Sequence, residues 1–161
     1  MSESMPQSGP AVGKKAPDFK IALDGGETLK LSALKGRTVV LYFYPKDDTT
    51  GCTREALDFT ALADAFEAAG ALVVGVSPDS VKSHDKFKAK HGLTVRLAAD
   101  EEHAVAEAYG VWAEKSMYGR KYMGVERTTF LIDKTGKVKE IWAKVKVPGH
   151  AEAVLEAVKA L

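Results

Sequence analysis

The chain contains a single cysteine, Cys52, among its 161 residues. One thiol excludes an internal disulfide framework, and Glu55 at the third residue after it excludes a Cys-x-x-Cys redox motif. Histidine is also scarce, and its four positions lack the spacing of metal ligands, so the sequence predicts no metal site. We predict instead that the histidines lie on helix surfaces or at helix ends: His84, His91, His103 and His150.

Charge and hydropathy exclude further classes of function. A formal net charge of +1 lacks the basic excess that binding to nucleic acid or to a membrane surface favours. No apolar run approaches the roughly 20 residues of a transmembrane helix. Residues 1–10 show no basic segment followed by an apolar run, so we expect no secretory signal. A lone cysteine fits a reducing compartment, and we expect a cytoplasmic protein with no nucleic-acid or membrane partner.

The composition that remains is that of a globular domain, with 45% hydrophobic and 28% charged residues. Residues 1–13 are rich in Ser, Pro and Gly, which predicts a flexible N-terminal tail, and residues 14–161 predict one domain. The segment 19–34 predicts an N-terminal β-hairpin that turns at adjacent glycines. Segments 38–44 and 71–76 are apolar without alternation, as in strands that are covered on both faces.

Helical periodicity separates these strands. Apolar residues recur on one face from Cys52 to Gly70, which predicts a helix whose inner face includes Cys52. The alternation of strands and helices predicts an α/β fold with a central mixed β-sheet flanked by helices. The other predicted elements are helices at 81–91, 101–109 and 150–161, a strand at 93–98, an irregular surface segment at 113–124, and a hairpin of strands 128–132 and 138–145.

Cys52 lies at the start of a predicted helix, after a buried strand and a loop of small polar residues. The unpaired N–H groups of a first helical turn and the helix dipole both favour a thiolate, which is the nucleophilic form of cysteine. Thr49 is near enough in sequence to contact the sulfur or a substrate oxygen, or alternatively to cap the helix. From these residues alone, a buried structural cysteine and a reactive cysteine both remain open.

The segment around this cysteine reads YFYPKDDTTGCTREALDF and contains the pattern Pro-x-x-x-Thr-x-x-Cys, from Pro45 to Cys52. It resembles the active site of the peroxiredoxins, and in particular their bacterioferritin-comigratory, or Q-type, branch. Three further stretches agree with that branch in the same order: APDFKIALDGGETLKLSALKG, VSPDSVKSHDKFKAKHGL and EKSMYGRKYMGVERTTFLIDKTGKV. The resemblance extends from about residue 14 to the C-terminus.

The resemblance implies a thioredoxin-like fold and a thiol-dependent peroxidase that serves antioxidant defence. It implies that Cys52 is the peroxidatic cysteine, which becomes a sulfenic acid, and that the Thr49 hydroxyl contacts the substrate oxygen. Pro45 would shield the sulfur from water, and Arg127 would be the arginine of the family. A guanidinium stays charged and offers fixed donors, so Arg127, Thr49 and the Gly51 amide are expected to align the peroxide.

Two positions depart from the family pattern. Many Q-type members have a proline where this chain has Thr50, and many have a resolving cysteine where this chain has Leu57. Other relatives place that cysteine on the helix that corresponds to residues 81–91, which has none here. The resemblance therefore implies a one-cysteine peroxiredoxin without a bound cofactor, whose sulfenic acid is resolved by thioredoxin or by glutaredoxin with glutathione.

The expected substrates are hydrogen peroxide and organic hydroperoxides, and we expect a monomer, as is common among Q-type relatives. The alternative is a redox sensor or a chaperone-like binding protein with the thioredoxin fold, in which Cys52 would be structural. The presence of both Thr49 and Arg127 favours the peroxidase, because a structural cysteine needs neither of them.

Overall fold

A computed structural model describes residues 9–161 and shows a mixed sheet of seven strands in the order β2-β1-β5-β4-β3-β8-β9. Two further strands, β6 and β7, pair only with each other. The nine strands are β1 (Lys20–Leu23), β2 (Thr28–Lys30), β3 (Thr38–Phe43), β4 (Ala71–Ser77), β5 (Arg96–Ala99), β6 (Trp112–Met117), β7 (Arg120–Val125), β8 (Thr128–Ile132) and β9 (Val138–Trp142).

Helices cover both faces of the central sheet, so the predicted α/β class and the mixed sheet are confirmed. Apolar residues of α1, α2, α3 and α5 form the core on one face, and α4 packs in the core on the other face. No described helix is long and apolar enough to cross a membrane. The helices are α1 (Thr50–Ala61), α2 (Ala63–Ala68), α3 (Val81–His91), α4 (Ala104–Ala108) and α5 (His150–Lys159).

The strand pairing positions the segment that contains Cys52. Strand β3 is buried along its whole length and pairs with β4 in parallel and with β8 antiparallel. Its carboxyl end therefore lies beside the amino end of β8, where Phe43 pairs with Thr128. The predicted N-terminal hairpin is also confirmed, with β1 antiparallel to β2.

Several predicted boundaries were wrong. The single helix expected up to Gly70 is two helices, because Leu62 leaves helical geometry (φ −102°, ψ 11°) and its amide bonds to the Phe59 carbonyl. The helix expected from residue 101 begins at Ala104, since His103 has a positive φ of 51°. The strand expected from residue 93 begins at Arg96.

The segment 113–124, predicted to be irregular, is instead largely the β6–β7 hairpin. The sequence shows no alternation of apolar and polar residues there, because most residues of both strands are exposed and neither face of the hairpin is buried. The prediction that all histidines lie on helix surfaces or at helix ends was also wrong for His84, which is buried within α3. His150 does lie at a helix end, as the first residue of α5, although its side chain is buried.

The predicted flexible tail falls mostly on residues 1–8, which lie outside the described residues. At its end, the Gly13 amide donates to the Val138 carbonyl at 2.7 Å, and Lys15 forms a bridge with Lys137. The division into a tail of residues 1–13 and a domain of residues 14–161 stays a prediction.

Candidate active site

Cys52 is the third residue of α1, and its side chain is 1% exposed. Six residues separate the end of β3 from the start of α1, so the helix follows directly on the carboxyl end of that strand. The cysteine shares the inner face of α1 with Ala56 and Phe59, in one core cluster. The prediction that Cys52 faces inward is thus confirmed.

Arg127 contacts this sulfur although it lies 75 residues further along the chain. It lies between β7 and β8, and the antiparallel pairing of β8 with β3 brings it to the same edge of the sheet. Its Nη2 donates to Cys52 Sγ at 3.3 Å, and its Nη1 donates to Glu55 Oε1 at 2.6 Å. The guanidinium therefore joins the only thiol to a buried carboxyl group.

The charges of this group are shaped by burial. Burial acts to lower the pKa of Arg127, but the adjacent Cys52 and Glu55 outweigh it and raise the pKa, so the guanidinium stays charged. Burial also raises the pKa of Glu55 to about 7, against the opposing charge of Arg127. The Glu55 Oε2 atom is buried and has no hydrogen-bond partner in the described part of the chain.

Gly51 gives the guanidinium room to approach the helix. A β-carbon built on Gly51 would lie 3.2 Å from Arg127 Nη2, closer than ordinary van der Waals contact. A glycine immediately before Cys52 therefore lets Arg127 pack over the first turn of α1. That first turn leaves N–H groups without intrahelical partners, and these are free to face a bound oxygen.

Thr49 occupies the N-cap position of α1, but its hydroxyl neither caps the helix nor bonds to the Cys52 sulfur in the described residues. It donates instead to the Lys46 carbonyl at 2.9 Å, and no side-chain cap forms. No hydrogen bond joins Thr49 to Cys52 in the described residues. Because the hydroxyl proton is already donated, Thr49 Oγ1 can only accept from a ligand. Pro45 is partly buried at the start of the same loop.

A buried ion pair between Asp47 and His84 holds the loop that leads into α1. Asp47 Oδ1 accepts from the Tyr44 hydroxyl at 2.6 Å, and Oδ2 accepts from Ser83 Oγ at 2.8 Å. His84 Nδ1 lies 2.7 Å from the same Oδ2, and its Nε2 lies 3.0 Å from the Ala98 carbonyl. Both ring nitrogens face acceptors, which fits a doubly protonated imidazolium. Burial acts to lower the pKa of His84, but its bond to Asp47 and the charge of that residue raise it on balance.

Sequence reasoning missed three of these residues: Glu55, Asp47 and His84. Two of them carried a signal, because Glu55 and His84 stand on the apolar faces of their helices, four residues before Phe59 and three before Phe87. A charged or titratable residue on such a face is buried and needs a partner. Asp47 gave no signal of that kind, since a loop aspartate is ordinarily exposed.

In the described residues, no group of three or more histidine, cysteine, aspartate or glutamate side chains could hold a metal ion. The hydrogen-bonded group at Cys52 consists of its own thiol, the Arg127 guanidinium and the Glu55 carboxyl group. This arrangement can stabilise a thiolate and can offer hydrogen-bond donors to an electronegative ligand.

Comparison with known proteins agrees with this chemistry. Residues 12–141 match the model of the AhpC/TSA family. The chain is similar to Peroxiredoxin Bcp of Bacillus subtilis, at 51% identity over 92% of this chain and 94% of the relative. Peroxiredoxin Bcp of Xanthomonas campestris is 52% identical over 89% of each chain.

Solved structures give the same result. A Xanthomonas campestris peroxiredoxin Q superimposes with a TM-score of 0.85 at 51% identity, over 88% of this chain and 90% of that one. A cysteine-to-serine mutant of Xylella fastidiosa PrxQ gives 0.91 at 44% identity, over 96% and 98%. The thioredoxin-like fold predicted from the sequence is therefore confirmed. The chain belongs to the AhpC/TSA family, among the Bcp or Q-type peroxiredoxins, and is a thiol-dependent peroxidase.

Proposed function

We propose that Cys52 is the peroxidatic residue, and that it reduces hydrogen peroxide and organic hydroperoxides through a sulfenic acid resolved by an external thiol. The observation that carries the proposal is the 3.3 Å hydrogen bond from Arg127 Nη2 to Cys52 Sγ. A cation beside a thiol favours the thiolate, which is the attacking species. The Xanthomonas campestris bacterioferritin comigratory protein is described as reducing alkyl peroxides, which supports organic hydroperoxides as substrates.

The proposed reaction is a displacement at oxygen. The Cys52 thiolate attacks the distal peroxide oxygen, and the sulfur–oxygen bond forms as the oxygen–oxygen bond breaks. Cysteine loses two electrons and becomes a sulfenic acid, and the departing alkoxide or hydroxide takes a proton from water to leave as an alcohol or water. Arg127 places its positive charge beside the sulfur, where it also stabilises the negative charge that leaves.

Alignment of the peroxide supplies the rest of the rate enhancement. Thr49 Oγ1 is left as an acceptor, so it can receive the hydrogen of the peroxide O–H group. The amides of Gly51 and Cys52 belong to the first turn of α1 and can donate to the oxygens. Pro45, at the start of the loop, would limit the access of water to the sulfur.

The second half of the cycle needs another molecule, because the chain has one cysteine. An external thiol attacks the Cys52 sulfenic acid, which forms a mixed disulfide and releases water. A second thiol then reduces that disulfide and returns Cys52. We propose thioredoxin, or glutaredoxin with glutathione, as the reductant of a monomeric cytoplasmic enzyme that needs no bound cofactor.

The first half-reaction can be tested alone. Reduced protein mixed with one equivalent of hydrogen peroxide should gain one oxygen at Cys52, as followed by intact mass and by rapid-mixing fluorescence. Cys52→Ser should consume no peroxide. Arg127→Lys keeps a cation but loses the second arm of the guanidinium. A lost hydrogen bond to a charged group costs about 1.5–3 kcal/mol, or roughly 10- to 150-fold in rate.

Arg54→Lys is the matched control, because Arg54 lies on the Cys52 helix but is exposed, and among the described residues its ion pair is with Asp58. It should react at the wild-type rate. Peroxide consumption by Cys52→Ser would refute the assignment of the nucleophile. An unchanged rate in Arg127→Lys would remove the paired guanidinium from the mechanism.

A further inference from the structure

Exposed apolar side chains are concentrated on the β6–β7 hairpin. Seven large hydrophobic residues are exposed in the described part of the chain, and four of them fall within residues 117–123. Single exposed apolar residues are ordinary, whereas several close together mark an interaction site. By the strand register Met117 and Tyr122 share one face of the hairpin, Tyr118 lies at its tip, and Met123 lies on the opposite face. The four are Met117 (55% exposed), Tyr118 (98%), Tyr122 (44%) and Met123 (50%).

The hairpin projects from the domain on a fixed base. Within the described residues it has no strand partner in the seven-stranded sheet. Its tip turns at Tyr118 and Gly119, both with positive φ (52° and 77°). At its base Val125 is buried, and the Glu126 amide donates to the Val111 carbonyl at 2.8 Å.

This projecting hairpin adjoins the reactive cysteine. Strand β7 ends at Val125, two residues before Arg127, whose guanidinium contacts Cys52. Lys115 and Tyr122 are cross-strand partners and so share one face of the hairpin. Burial lowers the pKa of Lys115, and the positive charge of Arg127 lowers it further, which places this face in the field of the site.

The charge of the hairpin selects the kind of partner. Residues 112–125 hold three cations (Lys115, Arg120 and Lys121) and one anion (Glu114), for a formal excess of two positive charges. Among the described residues none of the three cations forms an ion pair with an acidic side chain. A second copy of the same surface would bring like charges together, whereas an acidic surface would be attracted.

We propose that the β6–β7 hairpin is the docking surface for the protein that reduces Cys52, a small dithiol protein with an acidic face around its reactive thiol. This inference rests on the proposed function, in which an external thiol must reach the Cys52 sulfenic acid. Met117 and Tyr122 supply apolar contact on the face that also carries Lys115 and Arg120, and Tyr118 extends it at the tip. The cations steer the acidic partner to the edge of the site.

The test compares two reductants of the same enzyme. A purified thioredoxin of net negative charge, kept reduced by its reductase and NADPH, provides the protein thiol, and dithiothreitol provides the small one. The double variant Arg120→Glu/Lys121→Glu reverses the charge of the hairpin. Tyr118→Asn removes its most exposed ring and retains a residue that tolerates positive φ. Lys134→Glu, an exposed lysine at the β8–β9 turn, is the control.

We expect both hairpin variants to lose about tenfold or more in kcat/KM for thioredoxin, as changes at an interface hot spot do. Turnover with dithiothreitol and oxidation by one equivalent of peroxide should match the wild type, as should Lys134→Glu with either reductant. Added salt should slow the wild type with thioredoxin more than the charge-reversed variant.

Four results would overturn the docking proposal. The first two are wild-type kinetics of both hairpin variants with thioredoxin, and a loss of activity in those variants that is equally large with dithiothreitol. The other two are an equal loss with thioredoxin in Lys134→Glu, and reduction of the wild-type enzyme by glutathione but not by thioredoxin. Absence of Cys52 oxidation by stoichiometric peroxide is a different result, because it would refute the proposed function itself.

Discussion

His84 Nδ1 lies 2.7 Å from Asp47 Oδ2, and this contact joins helix α3 to the loop that leads into the Cys52 helix. The two residues are 37 positions apart, and both side chains are buried. The Asp47 amide also donates to Asp79 Oδ2 at 2.8 Å, at the end of β4. The conformation of the loop between Pro45 and Thr49 therefore depends on an ion pair that contains no catalytic atom.

Asp47→Asn should destabilise the protein, because it removes the negative charge that faces a buried imidazolium. Breaking a buried ion pair by removing one partner costs about 3–5 kcal/mol, and the isosteric amide should place the loss near the lower end. Urea denaturation at pH 7 measures the free energy of unfolding. Asp48→Asn is the control, since Asp48 is exposed and surface ion pairs such as those with Lys90 and His91 contribute little to stability. Equal losses in the two variants would contradict a special role for the buried pair.

His150 should make the protein sensitive to acid. Burial lowers its pKa from 6.5 to about 4, and the charge of Arg127 adds to that effect. The folded state thus holds the imidazole neutral, with Nε2 2.8 Å from Thr129 Oγ1. Between pH 6.5 and 4 the unfolded chain binds a proton at His150 more readily than the folded protein does. The folded state is therefore fully stable in this respect above pH 6.5, and about 3 kcal/mol of its stability is lost as the pH falls towards 4.

The measurement is the change in unfolding free energy between pH 7 and pH 4.5 for the wild type and for His150→Gln. The variant should lose less stability over that interval than the wild type. His84 works in the opposite direction, because its raised pKa contributes stability below pH 6.5 that is lost as the pH rises through the folded value. The pH response of His150→Gln must therefore be compared with that of the wild type, since both proteins contain His84. A wild-type pH response in His150→Gln would exclude His150 as the acid-sensitive group.

Some of this architecture follows from local pattern. The uninterrupted apolar runs of β3 and β4 identified them as central strands, and the inward position of Cys52 followed from the spacing of Ala56 and Phe59. Helix α3 was predicted at its observed bounds, Val81–His91, from its amphipathic pattern and the glycine that follows it. In the structure the Ser80 side chain caps this helix and Gly92 ends it in the left-handed conformation. These elements are specified by neighbours in the sequence.

The long-range parts of the site were not specified in that way. Arg127 approaches Cys52 only because β8 pairs with β3, and without the family resemblance it reads as a charge at the end of a strand. The burial of His84 depends on Asp47, which a separate loop contributes. The β6–β7 hairpin was missed because its exposed residues lack the alternation that burial of one face imposes.

Gly51→Ala should slow the reaction with peroxide without unfolding the protein. The added methyl group would meet Arg127 Nη2 at 3.2 Å, so the guanidinium must shift by a few tenths of an ångström from the sulfur it contacts. Since catalysis depends on alignment at that scale, we expect a fall of about tenfold or more in the rate of Cys52 oxidation. Rapid mixing with one equivalent of hydrogen peroxide gives this rate.

Thr50→Ala makes a comparable small change one residue earlier, at an exposed position, and should retain the wild-type rate. The unfolding free energy of Gly51→Ala should stay within about 1 kcal/mol of the wild type, because alanine favours a helix more than glycine does. A normal oxidation rate in Gly51→Ala would show that the close packing of Arg127 over Gly51 is not needed for reactivity.

Excess peroxide in the absence of any thiol should drive the wild-type Cys52 to sulfinic acid, because nothing in the chain captures the sulfenic acid. Leu57→Cys should prevent this, since Leu57 is already 39% exposed and stands five residues after Cys52. Residues five apart lie on different helix faces, and a disulfide needs its α-carbons within about 7 Å, so the first turns of α1 must unwind for the bond to form.

Intact mass distinguishes the two products of this experiment, because sulfinic acid adds two oxygens and the disulfide removes two hydrogens. Ala61→Cys is the matched control, an exposed position nine residues along the same helix, and it should be overoxidised like the wild type. Equal sulfinic acid in Leu57→Cys and Ala61→Cys would show that α1 keeps its first turns during turnover, and that an external thiol must reach Cys52 with the helix intact.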